Sequence, residues 1–172
     1  ACRNALDFVA ERWGATVTVV PLPFPLQSSD EVVDVITGAL TPRTRLAMVD
    51  HVTSATALVL PLRELVSAIS ARGVEVLVDG AHAPGMLDLD LSALGALGMT
   101  YYAGNCHKWL CSPKGAGFLW VAPQRQESVR PTVISHGANA DTAAQSRFHL
   151  EFDWVGTLDF TPWLCVPTAI EA

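Results

Sequence analysis

Charged side chains are scarce in this sequence, and those of positive sign are the scarcer. Only 16% of the 172 residues are charged, half are hydrophobic, and the formal net charge is −6. No basic run occurs, which argues against a nucleic-acid partner. Such an apolar composition predicts a buried sheet, or a surface that meets another subunit or a further segment of chain.

Long apolar runs and a leader sequence are also lacking. The apolar stretches are of strand length, which predicts no membrane contact. No charged segment followed by an apolar one opens the chain. The first residue is Ala1 rather than Met, so we expect a start that is processed or trimmed.

Cysteines are few and do not have the spacing of metal ligands. The four are Cys2, Cys106, Cys111 and Cys165. No paired Cys or Cys–His spacing accompanies them, and His51, His136 and His149 show none either. We therefore predict no metal site, and we interpret the cysteines as free thiols in a reducing, cytoplasmic compartment.

Three common ligand-binding or catalytic motifs are missing. The sequence contains no G-x-G-x-x-G after the first predicted strand, no G-x-x-x-x-G-K-[ST] and no G-x-S-x-G. Residues 112–117 are glycine-rich, but they precede a predicted strand rather than a helix. Dinucleotide, P-loop and α/β-hydrolase sites are therefore not indicated.

Strand-like and helical segments alternate along the first 123 residues. The sequence predicts helices at 1–13, 28–40, 61–72 and 89–97, and strands at 16–21, 45–52, 75–79, 99–103 and 116–121. Ser28 and Glu31 form a predicted capping box for the second helix. This alternation predicts an α/β fold of three α/β/α layers, with a mostly parallel sheet covered on both faces.

The pattern weakens after Pro123. Residues 124–145 are polar, and residues 148–163 are rich in aromatic side chains, which we interpret as an ordered loop rather than a second domain. We predict one domain over 1–172, with an α/β core at 1–123 and a loop-rich extension at 124–172.

Three polar residues fall where predicted strands end. Asp79 ends one strand, Ser54 lies just past another, and Lys108 follows a third. Because ligands bind outside the carboxyl ends of parallel strands, we expect all three at one edge of the sheet. An amine, a carboxylate and phosphate donors are what pyridoxal 5′-phosphate (PLP) requires.

The neighbours of Lys108 suit this cofactor, although spacing alone does not single it out. Asn105, His107 and backbone N–H groups near Gly104 can donate to a phosphate. The same spacing is equally compatible with Asp79 as a turn former or helix cap, with Lys108 as a solvated charge, and with a different ligand at this edge.

Three segments, in this order, resemble one enzyme family. They are HVTSATA at 51–57, VDGAHAPG at 78–85 and GNCHKWLCSPKGAGF at 104–118. Together they are similar to the class V aminotransferases, PLP-dependent enzymes of fold type I, and most to the isopenicillin N epimerase-like subgroup. Cysteine desulfurases are more distant cousins. The likeness covers nearly the whole chain and implies a PLP-binding large domain.

The resemblance implies catalytic roles for three residues. Lys108 would be the internal-aldimine lysine and the proton shuttle at the substrate Cα. Asp79 would pair with the pyridinium nitrogen, and His82 would lie near the phenolic oxygen, where desulfurases carry Gln.

The resemblance also implies further cofactor contacts and a partner. Ser54 would hydrogen-bond the phenolic oxygen, and Asn105 and His107 would hold the phosphate. Gly156-Thr157 would reach the phosphate from the neighbouring subunit, which implies a homodimer.

Family members are much longer than this chain. The resemblance therefore implies the central part of a large domain, without its N-terminal part and the C-terminal small domain, and a fragment that is weakly active or inactive alone. Three functions stay open. They are an epimerase or aminotransferase-like enzyme acting at the Cα of an amino acid, a C–S lyase or desulfurase, and an inactive truncated domain that packs against a partner. Desulfurase ranks lower because it needs a mobile cysteine.

Overall fold

Four neighbouring strands form the sheet in this computed structural model, which describes residues 2–172. They lie side by side in chain order: β1 (Leu46–Asp50), β2 (Glu75–Gly80), β3 (Tyr101–Asn105) and β4 (Gly117–Val121). The first three run parallel, and β4 runs antiparallel to β3. The predicted α/β fold with a mostly parallel sheet is confirmed.

Four helices precede or connect the strands, close to their predicted positions. They are α1 (Cys2–Trp13), α2 (Ser29–Gly38), α3 (Leu62–Ser70) and α4 (Leu91–Ala96). The first hydrogen bond of the capping box predicted for α2 is present, since Ser28 Oγ accepts from Glu31 N at 3.2 Å. The Glu31 carboxylate reaches back one residue further, to Gln27 N at 2.8 Å.

The core lies between α3 and one face of the sheet. Side chains along β2 alternate, so Val76 and Val78 are fully buried while Asp79 belongs to the other face. From α3, Leu65 and Ile69 are also fully buried. Each such side chain stabilises the fold by about 1.5–3 kcal/mol. This packing fixes β2, and with it the direction in which Asp79 leaves the sheet.

The predicted strand at 16–21 is wrong. Residues 15–23 have no regular secondary structure. A β-branched run favours extended backbone, but a strand also needs a neighbour for its N–H and C=O groups, and none of the described strands lies beside it. The strand predicted at 99–103 is present but shifted, since β3 begins at Tyr101 and continues to Asn105.

Residues beyond Val121 contain more helix than predicted. Two 3₁₀ turns (Pro123–Ser128 and His136–Asn139) are followed by α5 (Arg147–Phe152), α6 (Thr161–Leu164) and α7 (Val166–Glu171). The expected loop at 148–163 therefore holds α5, whose N-terminus is capped by Ser146 Oγ accepting from His149 N at 3.3 Å. Helices this short show too few turns for an apolar period to emerge. The division of the chain at residue 123 stays a prediction.

A buried polar pair joins β3 to the residue that follows β1. The Tyr102 hydroxyl lies 2.9 Å from His51 Nδ1, and Tyr102 is fully buried. Burial lowers the pKa of His51 and raises that of Tyr102. Both groups are therefore held neutral, each satisfying a polar atom of the other.

A glycine brings the loop after β2 against the loop after β3. Gly85 has φ +82°, and a Cβ there would lie 2.5 Å from Leu110 N and 2.6 Å from Trp109 C. Only a residue without a side chain allows the two backbones to approach this closely. Residues 2–172 contain no helix with both the length and the apolar character that crossing a bilayer requires.

Tyr102→Phe removes one hydroxyl and leaves His51 Nδ1 buried without this partner. We expect the free energy of unfolding to fall by about 1–3 kcal/mol, the cost of an unsatisfied buried polar group. Urea denaturation followed by circular dichroism measures the loss. The double variant Tyr102→Phe/His51→Leu should lose less than the two single variants summed. Additive losses would show that the pair does not interact.

Gly85→Ala and Gly73→Ala form a matched pair, because both positions have positive φ (+82° and +72°) but only Gly85 has close neighbours. Gly73→Ala should cost about 1–2 kcal/mol, the strain of a left-handed residue. Gly85→Ala should cost about 1–3 kcal/mol more, because the two loops must also separate. Equal losses in urea denaturation would contradict the close approach of the loops.

Candidate functional site

Lys108 lies in the loop between β3 and β4, and backbone hydrogen bonds within this loop hold its two ends together. Cys106 N donates to Ala116 O, and Ser112 N donates back to Cys106 O, each at 3.1 Å. Within this closure, Cys111 N donates to Lys108 O at 3.0 Å. The lysine backbone is therefore held at the end of the sheet rather than on a free loop.

His82 leaves β2 in a tight turn that faces Lys108. Ala83 N donates to Gly80 O at 3.0 Å and so closes the turn. His82 Nε2 then lies 3.4 Å from Lys108 Nζ. The other ring nitrogen, Nδ1, accepts from Trp109 Nε1 at 3.3 Å. Two of the predicted catalytic residues, Lys108 and His82, are thus in direct contact.

Asp79 lies at the same edge and is oriented by two donors. Its Oδ1 accepts from Ala81 N at 3.0 Å, and its Oδ2 accepts from the Cys2 thiol at 3.3 Å. The carboxylate raises the pKa of Cys2, chiefly through this hydrogen bond. Since the thiol stays protonated, it acts here as a donor.

Asp50 is a second carboxylate at this edge and was not among the predicted site residues. It ends β1 and is the register partner of Asp79. Burial raises the pKa of Asp50, and repulsion from Asp79 raises it further. The sequence carried a usable signal, because Asp50 ends its apolar run as Asp79 does. Trp109 and Cys2 were not predicted either, and no spacing pattern identifies them.

Asn105 and His107 flank the start of the Lys108 connection. Asn105 is the last residue of β3 and pairs with Gly117 of β4. His107 Nδ1 lies 2.6 Å from Ala116 O, and since a carbonyl only accepts, Nδ1 carries a hydrogen. The chain order and the strand end place both residues near Lys108, and their predicted contacts with a phosphate stay predictions.

Ser54 and Thr157 are not joined to this group by any hydrogen bond between described residues. Ser54 is exposed in a turn after β1. Thr157 is exposed in a bend after α5, beside Gly156 with φ +117°. Their predicted cofactor contacts stay predictions.

The groups at this edge fit PLP chemically. Lys108 offers an amine for the aldehyde, Asp79 an acceptor for a protonated ring nitrogen, and Asn105 a side-chain amide beside backbone N–H groups for a phosphate. Cys106 is buried, and burial raises the pKa of its thiol. It is therefore not an activated nucleophile. In residues 2–172, no cluster of three or more His, Cys, Asp or Glu could hold a metal ion.

Comparison with known proteins agrees with this chemistry. The profile of the family "Aminotransferase class-V" matches residues 1–154. Isopenicillin N epimerase of Amycolatopsis lactamdurans is 45% identical over 95% of this chain and 43% of its own length. A probable chloroplastic L-cysteine desulfhydrase of Arabidopsis thaliana is 35% identical over 98% of this chain and 36% of its own length.

A solved structure shares the fold and holds the cofactor. It is a mutant of C-DES, a cystine C–S lyase, with glycine covalently linked to PLP. That structure superposes with a TM-score of 0.79 at 29% identity, over 96% of this chain and 44% of C-DES. The chain thus spans less than half the length of these relatives. With the family profile matched along most of its length, the chain belongs to the aminotransferase class-V family of PLP-dependent enzymes.

Proposed function

We propose that Lys108 binds PLP covalently and moves a proton at the Cα of an amino-acid substrate. One observation carries this proposal: Lys108 Nζ lies 3.4 Å from His82 Nε2 at the same sheet edge as the Asp79 carboxylate. A solvated lysine would be exposed, whereas Lys108 is partly buried against His82. A partly buried amine can act as a nucleophile toward an aldehyde and as a proton acceptor and donor, which supports this proposal.

Asp79 is the partner of the cofactor's ring nitrogen in this proposal. When bound, PLP supplies a ring that withdraws negative charge from the substrate Cα. Asp79 keeps the ring nitrogen protonated, and the donors Ala81 N–H and Cys2 Sγ hold the carboxylate in one orientation.

The remaining polar residues hold the cofactor's oxygen atoms. Asn105 and His107 bind the phosphate, while His82 and Ser54 face the phenolic oxygen. Thr157 reaches the phosphate of a second subunit in a homodimer. Trp154 and Leu158, on either side of Gly156-Thr157, are 49% and 36% exposed, which suits a surface covered by a second copy.

Epimerisation, or a related aminotransferase-like reaction at Cα, is the first candidate. Its support is the identity to isopenicillin N epimerase, which exceeds that to the desulfhydrase. A C–S lyase is the second candidate, favoured by the likeness to C-DES and to the desulfhydrase. A desulfurase ranks lower, because it needs a mobile nucleophilic cysteine, and Cys106 and Cys111 lie too near Lys108 in the sequence to move as a separate arm.

The proposal also covers the larger protein in which these residues act and its location in the cell. The relatives are more than twice as long as this chain, so these residues act as part of a larger protein and are weakly active or inactive alone. The alternative is a truncated domain that only packs against a partner. We propose a cytoplasmic location, since all four cysteines are free.

Borohydride reduction tests the covalent bond to PLP. In the complete gene product, we expect a pyridoxyl group on Lys108 and none on Lys114, the other lysine of the chain, because only Lys108 contacts His82. Peptide mass spectrometry locates the adduct. Lys108→Ala should lose the yellow colour of the PLP-loaded protein, and Lys114→Ala should keep it. An adduct confined to Lys114, or no adduct at all, would contradict the proposal.

The reaction outcome is tested in D₂O with L-amino acids. An epimerase exchanges the Cα hydrogen for deuterium and yields the D-enantiomer, whereas a C–S lyase releases sulfide from L-cysteine. We expect exchange with inversion and no sulfide, read by NMR and chiral chromatography. Sulfide release that persists in Cys106→Ser and Cys111→Ser would favour the lyase instead.

A further inference from the structure

Both ring nitrogens of His82 have a nitrogen partner. Nδ1 lies 3.3 Å from Trp109 Nε1, and Nε2 lies 3.4 Å from Lys108 Nζ. The two contacts lie on opposite sides of one imidazole. The hydrogen that a neutral ring carries can serve only one of them, so the identity of the partners decides where it sits.

Trp109 decides the position of that hydrogen. An indole N–H donates and never accepts. Nδ1 of His82 must therefore present a lone pair to Trp109, and a neutral ring then carries its hydrogen on Nε2. The opposite tautomer would set two N–H donors against each other across 3.3 Å.

The hydrogen on Nε2 is the group that meets Lys108 Nζ. Nε2–H donates toward Lys108 Nζ, and only a neutral amine has the lone pair to accept it, because an ammonium group has three donors and no acceptor. The neutral amine is the form that attacks an aldehyde and takes up a proton. The contact between Trp109 and His82 thus sets whether a donor or an acceptor of the imidazole faces Lys108 Nζ.

We propose that Trp109 is a positioning residue that fixes the tautomer of His82, so that its Nε2–H group faces Lys108 Nζ. The effect of this tautomer on catalysis rests on the proposed function of Lys108, whereas the tautomer of His82 itself does not. Trp109 is 55% exposed, so its ring is not committed to core packing. The close approach at Gly85 holds its backbone in place.

His107 provides an internal reference for this proposal. Its Nδ1 faces the carbonyl of Ala116 and therefore carries the hydrogen. His82 and His107 are thus expected to be opposite tautomers, Nε2–H at His82 and Nδ1–H at His107.

Long-range ¹H–¹⁵N correlation spectra of the ¹⁵N-histidine-labelled apoprotein test the proposal. At about pH 9, above the ordinary histidine pKa of ~6.5, the shifts of both ring nitrogens show which one is protonated. His82→Gln assigns the His82 signals by their loss. We expect Nε2–H at His82 in the unsubstituted protein. In Trp109→Phe the ratio of Nε2–H to Nδ1–H should fall roughly fivefold, the factor of about one net hydrogen bond.

Trp13→Phe is the matched control, since Trp13 is 79% exposed and lies outside the site. It should leave the His82 tautomer unchanged, and His107 should stay Nδ1–H in every variant. Far-ultraviolet circular dichroism checks that Trp109→Phe remains folded. Nδ1–H at His82 in the unsubstituted protein, or an unchanged ratio in a folded Trp109→Phe variant, overturns the proposal.

A second measurement links the tautomer to reactivity. When the apoprotein of the complete gene product is mixed with PLP, we expect Trp109→Phe to form the covalent bond roughly fivefold more slowly than the unsubstituted protein, by the same factor. An unchanged rate in Trp109→Phe alongside a shifted tautomer overturns the step from His82 to Lys108. If PLP never bonds to Lys108, the proposed function fails, while the spectra still decide the tautomer.

Discussion

Parallel pairing of β2 with β3 is the constraint on which the candidate site depends. The register Asp79↔Ala103 and Gly80↔Gly104 brings the ends of the two strands level, so the loops that leave them meet. The pairing itself needs glycine. A side chain on Gly80 would overlap the ring of Tyr102, and one on Gly104 would overlap Phe118. These two rings stack with their planes 4° apart and fill the space beneath the strand ends.

The sequence predicts this edge well because strand ends are encoded locally. An apolar run that stops at Asp79 marks a carboxyl end, and right-handed crossovers bring such ends to one side. The contact between Lys108 and His82 was expected only as nearness at that edge. The roles of Trp109 and Cys2 could not be predicted, because they depend on which way a side chain turns and on how α1 lies against the sheet.

Errors in the predicted fold have the same origin. The segment at 16–21 has the composition of a strand, but a strand is a property of two chain segments and not of one. At the other end of the chain, the few turns of α5 are set by the Ser146 cap and by Arg147 and Glu151 one turn apart, not by an apolar stripe. Local sequence patterns predict long helices and paired strands. Whether a short helix or an isolated strand forms depends on the chain segments that pack beside it.

The opposite hydrogens of His82 and His107 have a consequence for how related proteins diverge. Each is set by a single neighbour, an indole N–H in one case and a backbone carbonyl in the other. Exchanging one such neighbour turns a donor into an acceptor near Lys108 while every Cα stays where it was. Two proteins of this fold can therefore differ in chemistry although their backbones superpose closely.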